Sequence, residues 1–228
     1  MKNIAIITAR GGSKRIPKKN IRPFLGVPII AYSIKAAIES NCFNEVMVST
    51  DSEEIAEISK NYGAKVPFYR SEKTSNDYAS TVDVLSEVIS KYKENNQTFD
   101  FGCCIYPTAP FVSSKIINDS YNKLLQTKSD TILSVVQYSF PPQRSLIKNN
   151  DRVEYWFPEY SSKRSQDLIP VYHDAGQFYW FNIDKFITNQ KLVSKNTTFF
   201  ECSELEVQDI DNEIDWKLAE VKYKLMMS

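Results

Sequence analysis

A loop rich in glycine and cations follows the first apolar segment of the chain. Residues 4–7 are apolar and predict a buried strand, and residues 9–20 after them read ARGGSKRIPKKN. Adjacent Gly11 and Gly12 let backbone N–H groups approach a ligand closely. The cations around them would be neutralised by a polyphosphate. Because α/β sheets bind ligands beyond the carboxyl ends of their strands, this loop favours a nucleotide triphosphate. The cations are Arg10, Lys14, Arg15, Lys18 and Lys19.

The charge balance of the whole chain narrows the choice of partner. The 228 residues contain 28 Lys and Arg and 28 Asp and Glu, so the formal net charge is zero. No global field attracts nucleic acid or an anionic membrane, and the cationic loop is a local feature, although a plain basic surface loop stays an alternative. The loop matches neither the Walker pattern nor the dinucleotide fingerprint. We expect a small anionic partner, with no nucleic acid and no membrane.

Two acidic residues near the C-terminus form a second candidate site. In an extended segment, residues i and i+2 share a face, so Asp209 and Asp211 can present two carboxylates to one point while Val207 and Ile210 anchor the segment. Hard oxygen ligands suit Mg²⁺, which takes one or two carboxylates together with substrate phosphates. The alternative is helix capping, because Asp211 or Asn212 could cap the C-terminal helix.

A third cluster of polar residues surrounds the one histidine of the chain, His173. A histidine beside a glycine in polar surroundings can hydrogen-bond a carboxylate or a hydroxyl-rich ligand, and a loop histidine bonded to backbone is the equal alternative. One histidine does not support a Ser-His-Asp or Cys-His arrangement. The candidate substrate-binding residues of this cluster are Arg164, Gln166, His173, Asp174 and Gln177.

Strand-like and helical periods alternate through residue 136, which predicts an α/β fold with a mainly parallel sheet and helices on both faces. Residues 138–172 interrupt the pattern with prolines and aromatic runs, so we expect an excursion from a single domain that spans residues 1–228. The last helix, over residues 214–226, places Leu218, Val221 and Leu225 on one face. The strands are predicted at residues 3–8, 45–50, 101–106, 131–136 and 177–182.

The cysteines and the N-terminus indicate the cellular compartment. Four cysteines contain no CxxC pair, so a metal cluster and a disulfide framework are both unexpected. Adjacent Cys103 and Cys104 on a strand would point to opposite faces. The chain starts with a strand and has no long apolar leader, so we expect a cytoplasmic protein.

With these clusters in this order, the sequence resembles the nonulosonic acid cytidylyltransferases, the family that makes CMP-sialic acids. Its A-R-x-x-S-K-x-x-x-x-K-N signature is matched by residues 9–20, and its D-x-D metal site by residues 209–211. The resemblance covers essentially the whole chain. Segments 164–168 and 172–176 are most similar to the branch that uses pseudaminic acid.

One departure from the sialic acid enzymes concerns the sugar. They usually carry Q-P-T-S-P-L-R after a central strand, whereas residues 106–111 here read YPTAPF. Tyr106 therefore stands where those enzymes place a sugar-binding glutamine. This difference disfavours neuraminic acid and leaves Tyr106 as a candidate substrate contact.

The resemblance implies a Rossmann-like fold of the nucleotide-diphospho-sugar transferase type. It also implies transfer of CMP from CTP to a nine-carbon 2-keto sugar acid, with Mg²⁺ as cofactor, pyrophosphate as product and a homodimer formed through the excursion. Alternatives are another sugar acid such as N-acetylneuraminic or legionaminic acid, a D-x-D glycosyltransferase, and a non-catalytic nucleotide-binding module. The implied catalytic residues are Arg10, Lys14, Lys19 and Asp211; the nucleotide-binding residues are Ala9, Arg10, Gly11, Gly12, Ser13, Asn20, Arg70 and Thr81.

Overall fold

The structure is a computed structural model and describes residues 1–227. Its strands are β1 (Asn3–Thr8), β2 (Pro23–Phe24), β3 (Val27–Pro28), β4 (Glu45–Ser49), β5 (Phe101–Ile105), β6 (Thr131–Gln137), β7 (Leu146–Asn149), β8 (Arg152–Tyr155), β9 (Tyr172–Asn182) and β10 (Thr197–Glu201). Its α-helices are α1 (Ile29–Glu39), α2 (Glu53–Asn61), α3 (Glu72–Ser75), α4 (Thr81–Glu94), α5 (Ser114–Thr127), α6 (Ile183–Asn189) and α7 (Glu213–Met227).

A six-stranded sheet organises the chain in the order β10-β6-β9-β5-β1-β4. Strand β1 pairs in parallel with β4 on one side and with β5 on the other, and β10 pairs in parallel with β6. Strand β9 runs antiparallel between β5 and β6. The predicted mainly parallel sheet is confirmed, with one antiparallel strand inserted in it.

Helices cover both faces of the sheet, and adjacent residues of a strand pack against helices on opposite faces. On one face Ala5, Ile7 and Cys103 pack with apolar residues of α1 and α5. On the other face Ile6 and Cys104 pack with residues of α4 and α6. The two adjacent cysteines lie on opposite faces, as the alternation of a strand requires.

A separate small core lies beside the sheet and joins the two ends of the sequence. It contains four buried residues: Ile16 of the N-terminal loop, Phe24 of the β2–β3 hairpin, Ile210 of the acidic segment before α7, and Trp216 of α7 itself. The rings of Phe24 and Trp216 meet edge to face at 5.7 Å. Because Ile16 and Ile210 share this core, the cationic loop and the acidic segment are held next to each other.

The chain differs from its sequence-based expectation in several elements. Strand β9 begins at Tyr172 rather than near residue 177, and neither α6 nor β10 was expected. In α7 the predicted apolar face is the exposed one: Leu218 is 48% exposed, and Trp216 and Ala219 make the buried face. The helix carries apolar residues on two faces, and periodicity alone does not decide which of them is buried.

The excursion over residues 138–172 contains the antiparallel hairpin β7–β8 and several short turns. It leaves the sheet after β6 and returns as β9. Aromatic residues on it are open to solvent, with Phe140 87% and Trp156 60% exposed. No helix among residues 1–227 has the length and apolar character needed to cross a membrane.

Candidate active site

A cleft of about 230 Å³ opens where β1 and β5 end. Four segments form it: the loop after β1, the first residue of α4, the turn after β5 and the acidic segment before α7. Since β4 and β5 flank β1 on opposite sides, this is the switch point at which open α/β sheets bind ligands. The lining residues are Thr8, Arg10, Ser13, Lys14, Arg15, Ile16, Lys19, Asn20, Thr81, Tyr106, Pro107, Thr108 and Asp211.

Hydrogen bonds inside the N-terminal loop set its shape. Buried Asn20 donates its side-chain amide to the carbonyl of Arg10 at 2.8 Å, which closes the loop on itself. The N–H of Gly11 donates to Asp51 at 2.7 Å, and a Cβ at this glycine would lie 3.1 Å from Ser52. This amide is therefore not free for a phosphate, contrary to the expected glycine cradle. A Cβ on Gly12 would meet no atom within 4 Å, so that side of the loop is open.

Two cations of the loop meet a carboxylate from a distant segment. Nη1 of Arg10 lies 2.5 Å from Oδ1 of Asp77, and Lys14 pairs with Oδ2 of the same residue. Asp77 follows α3 and lies 67 residues beyond Arg10. Donation from Lys14 and Arg10 lowers the pKa of Asp77 to about 2. One carboxylate thus pairs with two cations at the cleft, and one positive charge of the three groups stays uncompensated.

The other two lining cations face the acidic segment. Arg15 forms an ion pair with Asp211 at 2.8 Å, and Nζ of Lys19 lies 3.9 Å from the second oxygen of that carboxylate. Lys19 also donates to the carbonyl of Ile210 at 2.7 Å. Partial burial lowers the pKa of Lys19, while the charges of Asp211 and Asp209 act in the opposite direction. Arg15 was expected only as one of the loop cations around a polyphosphate, yet it reaches the acidic residue directly.

The carboxylate of Asp211 is free of helix capping. Asn212 accepts the N–H groups of Ile214 and Asp215, and Asp215 accepts those of Asp211 and Asn212. Asn212 therefore caps α7 and Asp211 does not, which answers the alternative left open by the sequence. Buried Ile210 anchors the segment between the two aspartates, as expected.

The pair Asp209 and Asp211 suits a hard divalent cation. The protein displaces water around Asp209 and raises its pKa, and the negative charge of Asp211 raises it further. Two carboxylates that repel each other gain from a cation placed between them. No group of three or more acidic, histidine or cysteine ligands occurs within residues 1–227. The donor set fits Mg²⁺ that completes its coordination with phosphate oxygens and water.

A second, more open cavity of about 430 Å³ adjoins the cleft and shares Thr81 and Tyr106 with it. The hydroxyls of Thr81 and Tyr106 lie 3.3 Å apart. Tyr179 donates its hydroxyl to Asp174 at 2.5 Å, and its ring centroid lies 5.6 Å from that of Tyr106. Burial raises the pKa of Tyr106 and of Tyr179, so both phenols stay protonated. The lining residues are Ser80, Thr81, Val82, Tyr106, Asp174, Tyr179, Gln190, Lys191, Leu192 and Val193.

Several predicted nucleotide and sugar contacts lie beside these cavities without lining them. Ala9 is fully buried, and its N–H donates to Ser49. Arg70 donates to the carbonyl of Ser49 at 2.8 Å, and its burial lowers its pKa. Gln177 is buried and donates to the carbonyl of Glu206, which ties β9 to the segment before the acidic pair. These three residues bind neighbouring backbone groups and line neither cavity.

The remaining polar residues lie further from the cleft of their own chain. His173 is exposed, its Nδ1 lies 2.9 Å from the carbonyl of Asp174, and its ring packs on Tyr138. Arg164 forms a two-pronged pair with Asp167 at 2.8 and 3.1 Å, and Gln166 is exposed beside it. Neither cavity includes His173, Arg164 or Gln166. Their role in sugar binding stays a prediction.

Tyr179 is a site residue that the sequence did not indicate. It stands in an aromatic run of β9, where alternation predicts only that every second side chain is buried. The register between β9 and β5 decides that Tyr179 faces the cavity, and contacts across the sheet set this register. The ion pairs of Asp77 with Arg10 and Lys14 were likewise not predicted, because these partners are distant in sequence.

A mainly parallel sheet with a cation-lined cleft at its switch point and an acidic pair beside it is the arrangement of a nucleotidyltransferase of the α/β class. The family model described as cytidylyltransferase matches residues 4–203. The chain belongs to the cytidylyltransferase family.

Three comparisons show how close this chain is to known proteins. A pseudaminic acid cytidylyltransferase of Campylobacter jejuni is 41% identical over 226 residues, which are 99% of this chain and 97% of the relative. A CMP-N,N'-diacetyllegionaminic acid synthase of Legionella pneumophila is 33% identical over 96% of this chain and 95% of its own length. The structure of CMP:2-keto-3-deoxy-manno-octonic acid synthetase complexed with CTP superposes with a TM-score of 0.71 at 17% identity and covers 100% of this chain and 99% of that one. The last comparison bears on the fold alone.

Proposed function

We propose that this protein transfers CMP from CTP to a nonulosonic acid, with pseudaminic acid as the preferred acceptor, and releases pyrophosphate. The observation that carries the proposal is one cleft, in a chain of the cytidylyltransferase family, with loop cations on one side and Asp211 of the acidic pair on the other. The 41% identity to a pseudaminic acid cytidylyltransferase supports the choice of acceptor. Because CTP is a cytoplasmic metabolite, we place the reaction in the cytoplasm.

The residues of the cleft act by positioning and by neutralising charge, which is what phosphoryl chemistry requires of a protein. Arg10 and Lys14 bind the outer phosphates of CTP and stabilise the departing pyrophosphate. Lys19, held beside the acidic segment by its bond to Ile210, faces the phosphate that is transferred. Thr81 at the start of α4 contacts the nucleotide and separates the two cavities.

In the proposed reaction the anomeric hydroxyl of the sugar acid attacks the α-phosphorus of CTP. Asp209 and Asp211 would hold Mg²⁺, which would stabilise negative charge on the α-phosphate and lower the pKa of that hydroxyl. In the described chain, Arg15 and Lys19 lie against Asp211. Their charges hold this carboxylate in place beside the cleft. Arg15 would have to loosen its ion pair with Asp211 for this carboxylate to hold a metal ion.

The adjoining cavity is the proposed site of the sugar acid. Tyr106, Tyr179 and Asp174 supply two hydroxyls and a carboxylate at one wall, a set that recognises hydroxyl and acylamino groups. A site that hydrogen-bonds such groups rejects analogues that leave them unpaired, by about 10⁴-fold. We therefore expect pseudaminic acid to be used far better than N-acetylneuraminic acid.

We further propose a homodimer formed through the excursion of residues 138–172. Its exposed side chains include Phe140, Val153 and Trp156, an apolar set larger than isolated surface residues explain. Arg164 and Gln166 lie on the same excursion, so they would act on the sugar acid only in the assembled dimer. Sedimentation of the purified protein measures the oligomeric state.

The test of this function is incubation of the purified protein with CTP, Mg²⁺ and a panel of nonulosonic acids. Pyrophosphate release is followed together with the mass of the nucleotide sugar. We expect a CMP-sugar with pseudaminic acid and no pyrophosphate without an acceptor. A D-x-D glycosyltransferase would consume a nucleotide sugar instead, and a non-catalytic module would bind CTP and release nothing.

A further inference from the structure

Asp77 pairs with two of the cations that line the cleft. Each of its two oxygens meets one cation of the loop after β1: Oδ1 is 2.5 Å from Nη1 of Arg10, and Oδ2 pairs with Lys14. Both cations line the cleft, whereas Asp77 itself is not part of its wall. A bidentate anion that bridges Arg10 and Lys14 is the interaction that a phosphate of CTP would make with them.

The segment that carries Asp77 is defined by its own hydrogen bonds. Oδ1 of Asn76 accepts the N–H groups of Tyr78 at 2.8 Å and Ala79 at 3.0 Å. Ser80 then caps α4 through a reciprocal pair with Asp83. Asp77 is thus presented to the loop by a formed turn rather than by a random side-chain position.

Little else holds this turn against the cationic loop. Tyr78, the neighbour of Asp77, is 96% exposed and packs in no core. Asp77 is itself exposed, with 41% of its side chain accessible. The ion pairs with Arg10 and Lys14 can therefore break without loss of buried contacts. Because the pKa of Asp77 is about 2, the carboxylate is ionised at any physiological pH and is always able to compete.

From this geometry we infer that Asp77 is an internal competitor for the phosphate-binding cations, displaced by CTP and returning to Arg10 and Lys14 as pyrophosphate leaves. The inference rests on the proposed function for the identity of the ligands. It makes Asp77 a residue that sets the affinity for outer phosphates: a triphosphate and free pyrophosphate must displace it, whereas CMP, which lacks those phosphates, leaves it in place.

The test is titration calorimetry with inorganic pyrophosphate, CTP and CMP as three separate ligands. Asp77→Asn removes the charge and keeps the shape, and Asp77→Ser repeats the test with a different side chain. We expect both variants to bind pyrophosphate and CTP about 3- to 10-fold more tightly, since two exposed ion pairs no longer oppose binding. Affinity for CMP should change less than about 2-fold.

Two matched variants separate competition from a general change in charge. Glu54→Gln also removes one carboxylate paired with a loop lysine, since Glu54 lies 2.7 Å from Lys18, but Lys18 does not line the cleft. This control should leave pyrophosphate affinity unchanged. Asp77→Glu keeps a carboxylate within reach of the cations and should bind pyrophosphate as the wild type does.

Unchanged or weaker pyrophosphate binding in Asp77→Asn would overturn the inference, because Asp77 would then only orient Arg10 and Lys14. An equal gain in Glu54→Gln would overturn it as well, since the effect would be a matter of net charge. If wild-type protein binds pyrophosphate but not CTP, and Asp77→Asn still tightens pyrophosphate binding, the competition stands and the proposed nucleotide is wrong. In steady-state assays, product inhibition by pyrophosphate should be stronger in Asp77→Asn than in the wild type, by the same factor as the gain in pyrophosphate affinity.

Discussion

Replacing Asp211 tests the link between the acidic segment and turnover. Its side chain is 40% accessible and contacts Arg15 at 2.8 Å and Lys19 at 3.9 Å, so it contributes little to the buried core. Capping of α7 by Asn212 and Asp215 does not involve its carboxylate. Loss of one exposed ion pair costs up to about 1 kcal/mol, which lowers Tm by about 2–4 °C in a chain of this size.

The effect on catalysis should be far larger than the effect on stability. Removing one electrostatic stabiliser of a transition state costs about 10²–10³ in kcat. We therefore expect Asp211→Asn to lose at least 100-fold in kcat for pyrophosphate release, with circular dichroism and Tm close to the wild type. Asp209→Asn should behave similarly or more mildly, because Asp211 lines the cleft and Asp209 lies beside it.

Glu213→Gln is the matched control for this experiment. Glu213 is a carboxylate two residues further along the chain, paired with Arg22 at 2.5 Å on the outside of α7. Its removal should cost the same small amount of stability and leave kcat unaltered. Near wild-type turnover of Asp211→Asn at saturating Mg²⁺, or an equal loss in Glu213→Gln, would refute the role given to Asp211.

Three further outcomes follow from contacts elsewhere in the chain. Arg10→Ala should weaken CTP more than CMP in calorimetry, since this cation serves the outer phosphates; equal losses would contradict that role. Tyr179→Phe removes the hydroxyl that binds Asp174 at 2.5 Å, and should raise KM for the sugar acid several-fold while KM for CTP stays constant. Burial would raise the pKa of Glu87, but hydrogen bonds from Lys91, Thr74 and Ser71 prevail and lower it from 4.5 to about 2. Its ionised form therefore stabilises the fold above about pH 5, and roughly 2–3 kcal/mol of unfolding free energy is lost as the pH falls toward 2. Urea titrations at several pH values should show that the stability of Glu87→Gln depends less steeply on pH than that of the wild type.

Much of the sheet was predictable because its central strands are short apolar runs separated by clear helical periods. Strand β1 occurs where the sequence placed it, and it leads into the cleft. The alternation of Cys103 and Cys104 between the two faces followed from strand geometry alone. Local pattern was sufficient wherever a segment has one apolar face.

Prediction was weaker where a choice depended on contacts between distant segments. Helix α7 offers two apolar faces, and only the small core with Phe24 and Ile16 decides that Trp216 is buried. Asp77 lies in a polar turn that carries no motif, and its pairing with Arg10 spans 67 residues. Likewise, no local pattern shows that the Gly11 amide is already taken by Asp51.

The small core beside the sheet separates the folding of the molecule from the assembly of its site. Ile16 and Ile210 bring the loop and the acidic segment together through a cluster that shares no residue with the two cores of the sheet. If α7 detaches, the cluster opens and Asp211 leaves the cleft, while the six strands retain their packing. Local opening of this kind has a lower free energy than global unfolding. The chain can therefore keep its sheet folded while its catalytic site is not assembled, and the packing of α7 determines which of the two states is present.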